Sequence, residues 1–393
     1  MDSVYFDNSA TTRPDPRVLK AMHPYFNNWY GNPSSLHSFG REAAAAMERA
    51  REQVAKAMGA APREIVFTSG GTESDNLALQ GAAYASRDRG DNIITCTIEH
   101  HAVLRTCRFL ESQGFRVTYL PVDQYGRADP ETVKAAITKD TVLVSIMAAN
   151  NEIGTIENIR EIGDIAREGG ALFHTDAVQA MTKVPIDVDR DNIDLMAISA
   201  HKFHGPKGIG ALYMRDGTEV QPLVYGGGQE RGLRSSTENV PGIVGMGEAI
   251  ELGMSEMDES VARMTSIRDR MIEGTLANID GCYLNGPREG RLCNNAHFRF
   301  DYIEGEALIM SLDMRGIAAS TGSACSSRET ETSHVLQAIG VRKEDARGSL
   351  RITLSKMSTL AEAEMYLTTI EEVTAKLRNI SPIALLHQGS KGR

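Results

Sequence analysis

The run Asp194–Gly210, DLMAISAHKFHGPKGIG, decides how this chain is read. Its first part, LMAIS, is a short apolar segment of the kind that forms a strand buried on both faces. Its second part stops that strand at Ser199, Ala200, His201 and Lys202 and then turns through glycines. The same design recurs on either side, in EIVFTSG from Glu64, DNIITCTI from Asp91, FRVTYLP from Phe115, TVLVSIM from Thr141, ALFHTDA from Ala171 and GALYMR from Gly210. Helical patterns lie between these runs. Ser38 to Met58 is rich in Ala, Glu and Arg, and NIREIGDIAREGG from Asn158 ends on the glycine pair expected at a helix C-terminus. Short β-branched runs alternating with helices specify an α/β chain with a mostly parallel sheet.

The pattern changes beyond Ala249. The segment to Asn278 is helical and rich in Met, Glu and Arg, and the strands NNAHFRF and SLRITLS follow, interleaved with two further helices. A boundary near Met257 therefore divides the chain into a large domain, 13–257, and a smaller α+β domain, 1–12 with 258–393. The segment Leu360 to Leu377 reads as the last helix, and IALLHQGSKGR as a frayed tail. A length of 393 residues suits this division, since about 150 residues per domain is the ordinary measure.

Composition narrows the class. Hydrophobic residues make up 41% and charged ones 24%, which is globular usage and excludes a disordered or collagen-like chain. With 42 Lys+Arg against 52 Asp+Glu the net charge is −10, which argues against nucleic acid or an anionic membrane as partner. The opening MDSVYFDNSATTRPDP lacks the basic and apolar regions of a secretory leader, and no apolar run reaches the length of a membrane span, so a cytoplasmic location is expected. The five cysteines, Cys96, Cys107, Cys282, Cys293 and Cys325, contain no C-x-x-C pair and read as reduced thiols.

Ligands of open α/β sheets sit beyond the carboxyl ends of the strands, so the residues that follow each strand carry the functional reading. After EIVFT comes SGGTESDNLALQGAA, where Gly70 and Gly71 permit a turn, Thr72 can cap and a helix begins. A helix start of this kind directs N–H groups at a phosphate, although the same pattern also occurs as a plain turn. After DNIITCTI come Glu99, His100 and His101; after TVLVSIM come Asn150, Asn151 and Glu152; after ALFHT come Asp176 and then Gln179. Asp176 alone reads equally well as a helix N-cap. Lys202 changes the balance, because a lysine at a strand end between two histidines is out of place as a solvated surface residue. Pyridoxal phosphate needs a lysine for its imine, a carboxylate on its ring nitrogen, a phosphate cradle and a flat group over the ring. Lys202, Asp176, the Gly71/Thr72 helix start with Ser199, and His100 supply one of each.

These residues fall within a series of motifs: DNSATT from Asp7, GNPSSLH from Gly31, SGGTESDN from Ser69, NNEIGT from Asn150, HTDAVQ from His174, SAHKFHGPKGIG from Ser199, GGGQERGLRSSTEN from Gly226 and STGSACSS from Ser320. In this order, over nearly the whole chain, they resemble the cysteine desulfurases of the nitrogen-fixation and iron–sulfur-cluster (NifS/IscS) type. The resemblance implies the aspartate aminotransferase fold of fold type I pyridoxal phosphate enzymes: a large domain with a mostly parallel seven-stranded sheet, a smaller α+β domain carrying a catalytic cysteine loop, and a homodimer. It implies that Lys202 forms the imine, His100 stacks on the ring, Asp176 pairs with the ring nitrogen, and Asn151 and Gln179 contact the ring hydroxyl. Gly71, Thr72, Ser199 and His201 would hold the phosphate, with Thr237 from the other subunit, while Arg351 and Asn151 would bind substrate. Cys325, in the polar stretch STGSACSSRETETSHVL, would accept sulfur from L-cysteine, release L-alanine and pass the sulfur to an acceptor such as a cluster scaffold protein, or itself ligate a transferred iron–sulfur cluster.

The chain departs from the family pattern at several places. Ser236 stands before Thr237 where a glycine is usual, Ser355 and Lys356 where Gly-Arg is common, and Thr332 where a proline is usual. The alternatives are a selenocysteine lyase or another pyridoxal phosphate-dependent transferase of the same fold, a zinc hydrolase using His201 and His204 with His100 or His101, and an inert assembly platform. No metal is expected.

Overall fold

A computed structural model describes residues 3–322 and 332–381. Each apolar run of the sequence forms a strand. The large sheet has seven, in the spatial order Ile65–Thr68, Gly210–Met214, Leu195–Ser199, Leu172–Asp176, Thr141–Ser145, Asn92–Cys96 and Arg116–Leu120. Only Gly210–Met214 runs antiparallel to its neighbours; the other pairings are parallel. Apolar clusters cover both faces, as a parallel sheet requires. Alternation along Ile65–Thr68 shows how: Ile65 and Phe67 enter one cluster, and Val66 enters the other.

The helix Ser38–Met58 begins where the sequence places it, with His37 Nδ1 accepting the Gly40 N–H at 3.2 Å, and ends on Gly59 in the left-handed region at φ +77°. The helical stretch beyond Ala249 is interrupted, however. One helix, Val240–Ser255, ends before Glu256 and a second, Met257–Asn278, starts after it. At the break the Glu256 carboxylate accepts from Arg17 at 2.6 Å and from Lys356 at 2.8 Å. Lys356 also reaches Asp15 at 2.9 Å, so this position ties the C-terminal part of the chain to its first helix.

A three-stranded antiparallel sheet, Ser349–Thr353, Asn295–Phe300 and Cys282–Leu284, packs with Met257–Asn278 and the last helix, Leu360–Ile380, which runs a turn beyond its expected end. Val4–Tyr5 pairs with Ile317–Ala318, and Val4 and Phe6 join this second apolar cluster. Leu292, Val335, Leu336 and Ile339 pack instead with the large-sheet core. No helix among the described residues is long and apolar enough to cross a membrane.

Candidate active site

The carboxyl ends of the large sheet open into a cavity of about 290 Å³ whose lining includes Thr72, His100, Asp176, Gln179, Lys202 and Arg351. Gly71, Asn151, Ser199 and His201 line it as well. The strand ends thus converge on one place, as the sequence reading expects. Thr237 does not line this cavity; it lies exposed on the segment that follows Ser236. Cys325 lies outside the described residues.

A segment that looks featureless in isolation, Asp7–Thr12, organises the site. Lys202 Nζ donates to the Ser9 and Ala10 carbonyls at 2.5 and 2.8 Å, and Gln179 Nε2 donates to the same Ser9 carbonyl at 3.0 Å. His201 Nδ1 lies 3.2 Å from Thr11 Oγ1, and Asp7 accepts from Arg351 Nη2 at 2.8 Å. Residues 170 to 344 positions away are thereby fixed to one short segment.

The helix Gly71–Ala85 is capped by Gly70, whose φ of +156° is open only to glycine, with no side-chain cap. Thr72 therefore does not cap as expected, because the helix starts one residue before it and its side chain lies against the cavity. The first intrahelical bond from this end is made by Ser74 N–H to the Gly70 carbonyl at 3.1 Å. The amides of Gly71 and Thr72 precede it and remain available to an anion.

Asp176 ends its strand buried and accepts the Val178 N–H at 2.9 Å in a local turn, so it caps no helix. Burial raises its carboxyl to about 6, against the lowering influence of that hydrogen bond and of Lys202. Two further buried acids stand beside it. Asp75 Oδ1 has no hydrogen-bond partner among the described residues and lies 3.6 Å from His174 Nε2. Glu99 accepts from Met147 N–H at 2.7 Å and from Cys96 Sγ at 3.3 Å. Burial first, and then the Asp176 charge, pushes both carboxyls well up. Asp75 escaped the sequence reading although a signal existed: it lies four residues after Gly71, on the same helix face. The sequence marks Glu99 only as a strand-end residue, and its burial comes from the packing around it.

His100 caps the helix His101–Ser112, with Nδ1 accepting the Ala102 N–H at 3.1 Å, so the neutral ring carries its proton on Nε2. Burial, with Lys202 nearby, lowers His100 to about 4 and keeps it neutral at physiological pH. His101 and His334, whose rings lie 4.8 Å apart, line the same cavity; the sequence places His101 only in the zinc alternative and gives His334 no role. His201 Nδ1 lies 3.2 Å from Thr11 Oγ1 and His204 Nδ1 2.8 Å from the Arg13 carbonyl; among the described residues the His, Cys, Asp and Glu side chains grouped closely enough to hold a metal are Asp75, His100 and Asp176, which include neither histidine of the expected zinc alternative.

Arg351 projects from the small sheet, buried. Nη1 donates to the Asn151 and Gly322 carbonyls at 3.1 and 3.0 Å, Nη2 holds Asp7, and Nε has no partner among the described residues. Glu152 accepts from Ser333 Oγ at 2.5 Å. Gly322 and Ser333, on either side of the segment that contains Cys325, are therefore both tied to the cavity wall.

A strand-end lysine facing a buried strand-end aspartate and a helix N-terminus across one cavity defines a class of aminotransferase-like enzyme. In keeping with this, the family model described as Aminotransferase class-V matches residues 4–365. The cysteine desulfurase IscS of Dictyoglomus turgidum is 53% identical over 379 residues, covering 96% of this chain and 96% of its own. A solved NifS-like protein superposes with a TM-score of 0.90 at 43% identity, covering 95% of this chain and 99% of that one. A solved SspA in complex with cysteine superposes with a TM-score of 0.80 at 38% identity, covering 91% of this chain and 100% of its own. The chain belongs to the cysteine desulfurases of the NifS/IscS type within the class V aminotransferase family.

Proposed function

We propose that this protein binds pyridoxal phosphate on Lys202 and removes sulfur from L-cysteine, giving L-alanine and a persulfide on Cys325. The observation that carries the reading is the convergence of Lys202, Asp176, Gln179, His100 and the Gly71 helix start on one cavity. The residues present suit the cofactor. Gln179 Oε1 and Asp75 Oδ1 are buried polar atoms without partners among the described residues, and the Gly71 and Thr72 amides with Ser199 and His201 form a set of donors for a phosphate. Asp176 would hold the ring nitrogen, Asn151 and Gln179 the ring hydroxyl, and His100 the ring face, with Thr237 of the partner subunit completing the phosphate site in a homodimer. An exposed cluster of Trp29, Tyr30 and Phe39, with ring centroids 5.5 to 6.1 Å apart, supports such a dimer face.

Bound there, the cofactor supplies an aldehyde that captures amines and a ring that withdraws electrons. The protein's own residues do the rest. Arg351 binds the substrate carboxylate once Asp7 shares or yields Nη2, Lys202 takes and returns the proton at the substrate α-carbon, and neutral His100 holds its proton at Nε2. Cys325, its thiol having lost its proton, would attack the substrate sulfur; the S–S bond forms as the Cβ–Sγ bond breaks, and the electron pair of that bond stays with Cβ, which takes up a proton. The carbon is reduced to the methyl of alanine and the two sulfurs are oxidised to the persulfide, so no external oxidant is needed. The four described thiols suit a bystander role: Cys96, Cys107 and Cys293 are buried, Cys282 is partly so, and burial pushes all four thiols up.

The persulfide would pass, in the cytoplasm, to an acceptor such as an iron–sulfur cluster scaffold protein, and Cys325 would ligate the transferred cluster. A large unit of 13–257 and a small unit of 1–12 with 258–393 is our proposed division, supported by the second apolar cluster. Incubating the purified protein with pyridoxal phosphate, cysteine and a reductant should yield sulfide and alanine in equal amounts. Borohydride fixation should place the cofactor on Lys202. Faster turnover of selenocysteine, or transamination of a keto acid, would favour another pyridoxal phosphate enzyme of this fold.

A further inference from the structure

Directly after Asp176 the chain makes a tight turn in which Met181 N–H bonds to the Ala177 carbonyl, and the Lys183 and Val184 N–H groups both bond to the Ala180 carbonyl. Thr182 closes this turn at φ +61°, a left-handed conformation that a β-branched residue adopts only when its surroundings enforce it. Gly253, on the helix Val240–Ser255, makes room for it: a Cβ there would come within 2.6 Å of Thr182 Cγ2. The strained turn sends Lys183 inward. Its Nζ donates to the Gln179 carbonyl at 3.0 Å and to the Lys202 carbonyl at 3.3 Å.

Lys183 is half-buried, and a lysine whose ammonium turns inward onto main-chain carbonyls is uncommon unless that ammonium is used. Here it closes a ring. The side chains of Gln179 and Lys202 meet at the Ser9 carbonyl, while their main chains meet at the Lys183 ammonium. Lys202 lines both the large cavity and a second one of about 30 Å³, which Lys183, His204, Ser260, Asn294 and Lys356 also line. The titratable groups facing Lys183 are Lys202, His204, Lys356 and the Cys293 thiol. Three of these are potential cations, and burial lowers Lys183 itself to about 8.

We propose that Lys183 is a positioning residue for the desulfurase reaction: it clamps the main chains of Gln179 and Lys202 from behind, fixing the Lys202 amine and the Gln179 amide relative to each other, and places its ammonium 3.3 Å from the Lys202 carbonyl. This rests on the reading of Lys202 as the cofactor lysine. The clamp needs a donor, whereas the electrostatic effect of that ammonium needs its charge, so two substitutions separate them. Lys183→Gln keeps a donor and loses the charge; Lys183→Met loses both.

The test uses the holoenzyme and reads the rate of pyridoxal phosphate release and the pH midpoint of its visible absorbance. Lys183→Met should release the cofactor about ten-fold faster or more, as expected for lost hydrogen bonds from a charged donor. Lys183→Gln should release it near the wild-type rate. Both should move the absorbance midpoint upward, because a neighbouring cation no longer opposes protonation of the Lys202 nitrogen. If both variants show wild-type release and midpoint, or lose thermal stability while leaving both quantities unmoved, the inference is overturned alone. Should Lys183→Met fail to fold, the midpoint of Lys183→Gln decides. Borohydride fixation of the wild-type cofactor on a lysine other than Lys202 overturns the inference together with the reading beneath it.

Discussion

Asp176→Asn should make the cofactor-free protein more stable while depriving it of function, and the size of the gain follows from the burial of the carboxylate. The folded protein holds this carboxyl at about 6 against an ordinary 3.8. A raised acid destabilises the fold once ionised. Below pH 3.8 the group is protonated in both states and there is no cost; the cost grows as pH rises, since the unfolded chain releases its proton first, and is complete above about 6. At 1.36 kcal/mol per pH unit of difference, the ionised group costs the cofactor-free fold about 3 kcal/mol at pH 7.5 and about half of that at pH 5. Asparagine retains an Oδ1 to accept the Val178 N–H, which now lies at 2.9 Å, and carries no charge. Urea unfolding of the stripped proteins at the two pH values measures the gain. The same variant should retain cofactor poorly and turn over cysteine negligibly, because the anion proposed to hold the ring nitrogen is lost. A variant that is less stable than wild type at pH 7.5, or equally stabilised at both pH values, would refute the reasoning.

Other outcomes follow from the same contacts. Arg51 and Glu230 form a buried bidentate pair at 2.8 Å, and Glu230 also accepts from Phe67 N–H at 2.9 Å. Glu230→Gln should cost about 3–5 kcal/mol in urea unfolding, because it leaves the buried Arg51 with only the exposed Glu48 carboxylate, at 3.1 Å, as counter-charge; a loss under about 1 kcal/mol would count against the buried pair. Ser236 lies at φ +144°, a region suited to glycine, so Ser236→Gly should stabilise the protein by about 1 kcal/mol, the relieved strain exceeding the added chain entropy. An unchanged or lower melting temperature would show that the loop carries no such strain. Cys325→Ser should keep the cofactor spectrum of wild type and release no alanine, and mass spectrometry of wild type treated with cysteine should find the extra sulfur on the Cys325 peptide; sulfur on Cys96 or Cys282 would exclude the proposed acceptor.

The sheet, its helices and the cavity-lining set Lys202, Asp176, His100 and Gly71 could be read from the chain because each depends on local pattern. An apolar run sets a strand, the strand's end sets the position of the next residue, and a glycine pair opens a helix. The motif DNSATT was legible only as a family mark. Its physical role emerges when Ser9, Ala10, Thr11 and Asp7 meet Lys202, Gln179, His201 and Arg351, with 193 residues separating Ser9 from Lys202. No periodicity in the sequence reports such contacts.

Tertiary packing also decided the electrostatics. Whether Asp75 and Glu99 are solvated or buried beside Asp176 depends on how a helix and a loop close over the sheet, and burial sets which acids hold protons. The expected Thr72 cap gave way to Gly70 because the backbone begins the helix one residue earlier, a choice of dihedral that residue identity alone leaves open. The inward turn of Lys183 required Gly253 to clear space on a helix far along the chain. By itself, then, the amino-acid sequence determined the elements, their order and the residue types delivered to the strand ends. The tertiary structure decided which of those residues touch, which are dry, and which carry charge.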